Sequence, residues 1–481
     1  MLRTSRIRLA KPRIPIGAHN VSSHGYDVGL SEITQNVHDL APFPGYSLLL
    51  NPQHFYHNSI ILTWAERTPH PVSLRQLAGF GKKLTKEKVI SSANFVRTEL
   101  PVRLALRIKD LQKLPFGVVN NFHIAQVYES YCHCFNMFRW KPRIETLEEN
   151  DEFCVFLKKV LDDHLLILPH LMMGALECSI LQSLPQAELD AFMSSMIRSR
   201  ISRRVIIEQH ISLSKNFREG AQEERPSDYI GDVFKQCSAI DNLTACKNTA
   251  SNFLSSLFPH LQMPELIIEG DDVSFPFMPS HLNYIFGEIT RNAYKSTIQA
   301  FVKRHENSTE DITKIKPPPI RVMIAQTKKD ITFKFSDQGG GMKKENLPGV
   351  WSFGRSPELA RKSLSNFHSL PGLNLTPRFP ILESNATHEA ISATSGSQSL
   401  LQQLGDMETR ETSMKAKGSL SSLITRPFEF TLGISLPMCK VYTDYWNGDL
   451  NMYSLEGYGS DTYLRLRKLG SSQDKLQLDK A

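Results

Sequence analysis

The chain has 481 residues, 41% of them apolar and 22% charged, with a formal net charge of +7. That length exceeds one ordinary core and predicts two domains with appendages. The mild positive charge, much of it near the N-terminus, lacks the clustered basic patch of a nucleic-acid binder, and no run of about 18 uninterrupted apolar residues offers a membrane span.

Seven scattered cysteines without CxxC pairs fit reduced, buried thiols rather than a disulfide scaffold. The CHC at 132–134 is too isolated for a zinc site. Residues 1–26 carry Arg3, Arg6, Arg8, Lys11 and Arg13, with no acid before Asp27, the composition of a mitochondrial targeting peptide. Residues 55–217 are dominated by helical periodicity. VRLALRIKDLQKLP (102–115) puts Leu104, Ile108 and Leu111 on one face and ends at Pro115. DEFCVFLKKVLDDHLLIL (151–168) repeats the pattern through Phe153, Phe156, Leu157, Val160, Leu161 and Leu165. Long helices with short polar joints predict an up-and-down bundle. LLILPHLMMGAL (165–176) is apolar but short and interrupted by Pro169 and His170, so it reads as a core helix.

After the polar joint REGAQEERPSD (218–228) the texture changes, and residues 225–470 read as a second domain. HLNYIFGEITRNAYKST (281–297) is an amphipathic helix with Leu282, Ile285, Phe286, Ile289 and Ala293 on its core stripe. Glu288, Asn292 and Lys295 flank that stripe, either as a solvated polar row or as the wall of a pocket. IRVMIAQ (320–326) and ITFKFS (331–336) alternate strictly and form an antiparallel hairpin. FSDQGGGM follows directly: Asp337 at a strand end can accept a hydrogen bond from an exocyclic amine, and Gly339 to Gly341 permit close backbone approach. Taken alone, this is equally a tight turn. The Ser-, Thr-, Gly- and Pro-rich stretch at about 356–425 reads as a flexible lid insertion. GDLNMYSLEGYGSDTYLRLRKL (448–469) is a second hairpin, which sets Ser460 beside Gly457 and Gly459.

The order of these parts resembles the ATPase fold of histidine kinases, Hsp90 chaperones, MutL and gyrase. The expected fold class is thus α+β: an N-terminal up-and-down helical bundle plus a C-terminal α/β sandwich ATPase domain. The likeness narrows further. HLNYIFGEITRNAYKST is similar to the helix of the mitochondrial kinases of 2-oxoacid dehydrogenase complexes, the pyruvate dehydrogenase and branched-chain kinases. ELPVRLA (99–105), LDDHLLILPHLMMG (161–174), RISRRVIIEQH (200–210) and the closing hairpin resemble the same family, over about residues 55–355 and 427–469.

The resemblance implies a mitochondrial matrix protein serine kinase that uses ATP and Mg²⁺ to phosphorylate and inactivate the dehydrogenase of the pyruvate dehydrogenase complex. It would dock on the lipoyl domain of the acyltransferase core, as a homodimer or paired with a sister kinase. A kinase of the branched-chain complex, or a weakly active regulatory partner subunit, is the alternative. By position, Glu288 is the general base, His164 its pairing partner, and Asn292 the Mg²⁺ ligand. Asp337, Gly339, Gly341 and Ser460 hold adenine, Ser356 stands at the start of the lid, and Gly433, Ser435 and Leu436 cradle phosphate. Two departures stand out. Lys295 replaces the usual arginine, and TLGISLP (431–437) keeps only Gly433 where the family has Gly–x–Gly–x–Gly–Leu–Pro. Thr431 and Ser435 occupy the outer positions, which puts phosphate affinity in question.

Overall fold

In a computed structural model the described residues are 52–70, 84–119, 121–220, 233–306, 312–368, 426 and 432–469. The targeting peptide, most of the lid insertion, Thr431 and the joint from residue 221 lie outside them. The first half is helical: α1 (Pro52–Ala65), α2 (Lys86–Gln112), α3 (Phe122–Arg139), α4 (Leu147–Asp163), α5 (Ile167–Leu181) and α6 (Gln186–Arg218). Local chemistry sets their ends. Thr146 and Glu149 form a reciprocal capping box at the start of α4, and Thr85 accepts from Lys88 N to open α2. Helix α2 packs against α1, α3, α4 and α6, and α3 against α5.

The pattern over 151–168 does not make one helix. It breaks at His164, the C-cap of α4, and resumes at Ile167. Pro169 explains the break, because its ring would clash with the carbonyl four residues earlier, whereas in the first turn of α5 it costs little. By length and composition the apolar run Leu147–Leu181 is long enough to cross a membrane, but 78% of its most apolar window is buried inside the fold, which accounts for its composition.

The second half contains β1 (Lys235–Ser238), α7 (Ala239–Leu257), β2 (Leu266–Glu269), β3 (Ser274–Phe277) and α8 (Pro279–His305). Then follow β4 (Ile320–Gln326), β5 (Asp330–Asp337), α9 (Pro357–His368), α10 (Ser435–Tyr445), β6 (Asp449–Leu455) and β7 (Gly459–Arg467). The main sheet has the order β2-β4-β5-β7-β6, with β2 parallel to β4 and the other pairs antiparallel. Alternation does what a two-faced sheet requires: Ile320, Val322 and Ile324, then Ile331, Phe333 and Phe335, are buried while their neighbours are not. Helix α8 lies on that apolar face, with Phe286 edge-on to Phe333 at 4.8 Å, and α7 and α10 pack beside it. Trp446 closes this core, its Nε1–H donating to His281 Nδ1 at 3.0 Å.

The start of the 356–425 stretch is a helix rather than a loop. Ala360, Leu364 and Phe367 of α9 are buried at the spacing of one helical face, and α9 packs on α5 of the first half. Just before it, Asp190 on α6 accepts from Phe353 N at 2.6 Å and Gly354 N at 3.3 Å through Oδ1, and from Ser352 Oγ at 2.7 Å through Oδ2. Gln186 Nε2 donates to Ser352 Oγ at 2.7 Å. The segment entering α9 is therefore clamped to the helical half. Asp190→Ala removes three acceptor contacts at once; the expected cost is about 1–3 kcal/mol, with faster amide exchange across Ser352–Arg355 in hydrogen-exchange mass spectrometry. Unchanged exchange there would show that the clamp holds nothing.

Candidate active site

A cavity of about 330 Å³ opens between α8, the β5–β7 end of the sheet and the start of α10. Its wall includes Asn292, Lys295, Asp337, Gly339, Gly341, Gly433, Ser435, Leu436 and Ser460, so nine of the residues singled out in the sequence converge on one space. The polar flank of α8 faces a pocket and not bulk water, because the stripe Leu282, Ile285, Phe286, Ile289 and Ala293 is buried and fixes the helix's rotation on the sheet.

One end of the cavity is built around Asp337. Pairing of β5 with β7 sets Asp337 opposite Ser460. Gly339 N donates to Asp337 Oδ1 at 2.8 Å, and Ser296 Oγ lies 3.4 Å from the same oxygen. Burial pushes this carboxyl up to about 6, against the Gly339 and Ser460 amides and the Ser296 hydroxyl, which stabilise the anion. The glycine loop is fastened to the closing hairpin: Gly340 N donates to Tyr458 O at 3.1 Å, Gly457 N to Gly340 O at 2.8 Å, and Met342 N to Ser454 Oγ at 2.8 Å. Gly340 and Gly341 have φ of 84° and 63°, the left-handed region that glycine adopts without strain. A Cβ on Gly341 would lie 2.1 Å from Leu455 O.

The other end is cationic. Arg291, Lys295, Arg355 and Arg426 line the cavity together with the first residues of α10. Ile434, the N-cap of α10, makes no side-chain cap, so the first amide N–H groups of the helix remain available to an anion. Gly433 adopts φ 75°, and its carbonyl accepts from Arg355 Nη2. Arg355 Nη1 also donates to Gly349 O at 3.0 Å, and its backbone N–H to Ser179 Oγ on α5 at 3.3 Å. Burial, with Arg291 and Arg426 close by, pulls Lys295 down to about 8. Asn292 lines the cavity, and among the described residues its side chain has no hydrogen-bond partner.

Three expected site residues stand elsewhere. Glu288 is fully buried and does not line the cavity. Arg426 covers it: Nη2 donates to Glu288 Oε2 at 2.8 Å and Nη1 to Oε1. Burial alone would raise the Glu288 carboxyl; the Arg426 guanidinium overrides that and holds it below the usual range. His164 is joined to Glu288 by no hydrogen bond or ion pair among the described residues. It lies in the helical half beside Tyr131, with ring centroids 5.9 Å apart. Burial, followed by the nearby Arg203, Arg200 and Arg204, keeps it neutral. Ser356 is exposed at the start of α9, outside the cavity wall, and its neighbour Arg355 takes the inward position. Arg291, Arg355 and Arg426 are the cavity residues that pattern reading missed: Arg291 lies inside the quoted helix beside Asn292, and the other two sit in no recurring motif.

Gly341→Ala is expected to cost more than about 1 kcal/mol, because the new methyl meets backbone and φ becomes strained. Denaturant unfolding, beside Gly457→Ala as an open-space control, measures it.

Residues 71–234 match a family model described as mitochondrial branched-chain alpha-ketoacid dehydrogenase kinase. The mitochondrial pyruvate dehydrogenase (acetyl-transferring) kinase 2 of Saccharomyces cerevisiae is 40% identical over 91% of this chain and 90% of its own length. The mitochondrial pyruvate dehydrogenase kinase of Arabidopsis thaliana is 27% identical over 84% of this chain and 92% of its own. Isozyme 4 of Homo sapiens is 25% identical over 84% and 82% respectively. With 40% identity to the yeast kinase over 91% of its length, the chain belongs to the mitochondrial pyruvate dehydrogenase kinase family.

Proposed function

We propose that the chain is an ATP-dependent protein serine kinase of the mitochondrial matrix, which phosphorylates and inactivates the dehydrogenase of the pyruvate dehydrogenase complex. The observation that carries the reading is the single cavity with a hydrogen-bond acceptor, Asp337, at one end and four cations with a helix N-terminus at the other. A purine and a polyphosphate need those two ends. In this reading the second half is an ATPase domain of the type shared by histidine kinases, Hsp90 chaperones, MutL and gyrase. Its bounds are about 225–470, with the helical half, about 55–217, available to dock on the lipoyl domain of the acyltransferase core and to form a dimer.

The residues present fit Mg²⁺. Asn292, on the cavity wall and without a side-chain partner among the described residues, carries an amide oxygen, a hard ligand of the kind Mg²⁺ accepts alongside phosphate and water oxygens. Bound there, the cation would neutralise charge on the phosphates. Asp337, Gly339, Gly341 and Ser460 would orient the base. Lys295, Gly433, Ser435 and Leu436 would hold the phosphates, Lys295 as a point charge and not a bidentate fork. Glu288 would receive the proton of the substrate serine, a role worth about 10²–10⁴-fold in rate. His164 and Ser356, away from the cavity, would act through the helical half and the entry to α9.

The branched-chain complex is favoured as alternative substrate by the family model over 71–234, while the names of the full-length relatives favour pyruvate dehydrogenase. A weakly active partner subunit is favoured by one observation, the covering of Glu288 by Arg426. The test adds purified protein, Mg²⁺ and ATP to each complex and follows dehydrogenase activity. Glu288→Gln should abolish the inactivation, lowering the rate by about 10²–10⁴-fold. Undiminished inactivation by the variant would remove Glu288 from the mechanism, and inactivation of neither complex by the wild type would favour the partner reading.

Asp337 adds a pH dependence. Its folded value, raised to about 6, means the anion forms only as pH rises through 6, and ionisation destabilises the empty protein between the ordinary carboxylate range and that point. An amine donor in the cavity offsets that cost. Affinity for adenine nucleotide should therefore rise between about pH 5 and 7 and fall again only above about 8, where Lys295 loses its charge. In Asp337→Asn calorimetry should find weaker binding and a profile flat between about pH 5 and 7, and a wild-type profile equally flat there would exclude Asp337 as the base reader.

A further inference from the structure

Arg426 touches two things that a phosphotransfer site has to keep apart. Its guanidinium seals both oxygens of the buried Glu288 carboxylate, and it also lines the cavity at the start of α10, where Nη2 lies 3.2 Å from Ser435 Oγ. The Arg426 carbonyl is anchored by Arg291 Nη1 at 2.9 Å, so the backbone is tethered on the cavity wall while the side chain reaches inward. As it stands, the Ser435 hydroxyl is the one the carboxylate meets, and no substrate hydroxyl can reach Glu288, which is fully buried and off the cavity wall.

We propose that Arg426 is a two-position guanidinium: in the empty protein it covers Glu288, and when a nucleoside triphosphate enters it moves onto the terminal phosphate and uncovers the carboxylate. The inference rests on the nucleotide reading above and adds a residue and a coupling to it. Three physical points support it. A guanidinium pairs with phosphate in the same planar, bidentate manner as with carboxylate, so the move exchanges one strong partner for another. The loop ahead of α10 presents one glycine, Gly433, among the described residues, and a mobile cation supplies contacts that a glycine-rich loop would make with backbone amides. The carboxylate also changes character. Paired with Arg426 it is a poor base; relieved of that guanidinium, with Ser435 and Arg291 still beside it, the buried carboxylate binds a proton more readily. Glu288 thus becomes basic only when the phosphate to be transferred is in place.

The test measures binding of a non-hydrolysable Mg²⁺–ATP analogue and of Mg²⁺–ADP to the full chain by calorimetry. Variants are Arg426→Ala, Glu288→Gln and the double variant. Glu288→Gln frees the guanidinium and should bind the triphosphate about tenfold more tightly than wild type, the scale of one charge-assisted pair. Arg426→Ala should bind it about tenfold more weakly, with ADP changed by less than about twofold. The double variant should match Arg426→Ala, erasing the gain. It also carries no unpaired buried carboxylate, so the comparison with Glu288→Gln stands even if Arg426→Ala alone folds poorly. Equal losses for triphosphate and diphosphate, or a gain that survives in the double variant, would overturn the proposal. A wild type that binds neither nucleotide overturns the nucleotide reading itself and this inference with it.

Discussion

Phe286 and Glu288 lie two residues apart on α8 and both are fully buried, one against Phe333 of the sheet and the other against the guanidinium of Arg426. The helix must hold an apolar stripe on the sheet and, along the adjacent flank, a carboxylate, an amide and a cation away from bulk water. Burying the stripe is favourable and fixes the rotation of α8. Burying the carboxylate is not: unpaired, it would cost several kcal/mol. The cavity, the placement of Asn292 and Lys295, and the need for Arg426 all follow from packing this one helix with its polar flank inward.

A second constraint ties the cavity to the helical half. Asp190 and Gln186 on α6 and Ser179 on α5 hold Ser352–Arg355. Arg355 in turn reaches the Gly433 carbonyl in front of α10. The chain of contacts runs from the face of the helical half to the cationic end of the cavity through hydrogen bonds and one side chain. A displacement of α6 relative to the sheet has to strain or break it, because backbone amides bound to one carboxylate oxygen tolerate little movement. A partner that shifted the helical half would thereby have a physical route to the cationic end of the cavity.

Much of this was legible in the sequence, and what was not has identifiable causes. Period-two alternation placed β4 and β5, since one face of each is buried, and the flank of α8 announced its pocket through Asn292 and Lys295, whereas Glu288 of the same row lies off the cavity wall. The break at His164 was hidden because the apolar periodicity runs on through it, and Pro169, which marks a new first turn, lies five residues further on. Helix α9 was missed because its surroundings are rich in Ser and Pro while its three buried residues sit at one face. Arg426 was invisible for a different reason. It is 138 residues from Glu288, in no motif, and a long-range ion pair leaves no local periodicity. The same holds for Asp190, 163 residues from Phe353.

The glycine-poor TLGISLP changes meaning beside Arg426. A glycine-rich loop binds phosphate with fixed amide dipoles, which are in place whether or not nucleotide is present. Here Gly433 keeps the left-handed turn that starts α10, and the cations Arg291, Lys295 and Arg426 crowd the same end, with Lys295 already drawn down by burial and by its neighbours. That crowding is unfavourable in the empty protein and is relieved by a polyanion. Exchanging amides for guanidinium therefore shifts binding from a preformed cradle towards one that assembles around its ligand. A site of that kind couples occupancy to rearrangement, and the residue it rearranges is the one that covers Glu288.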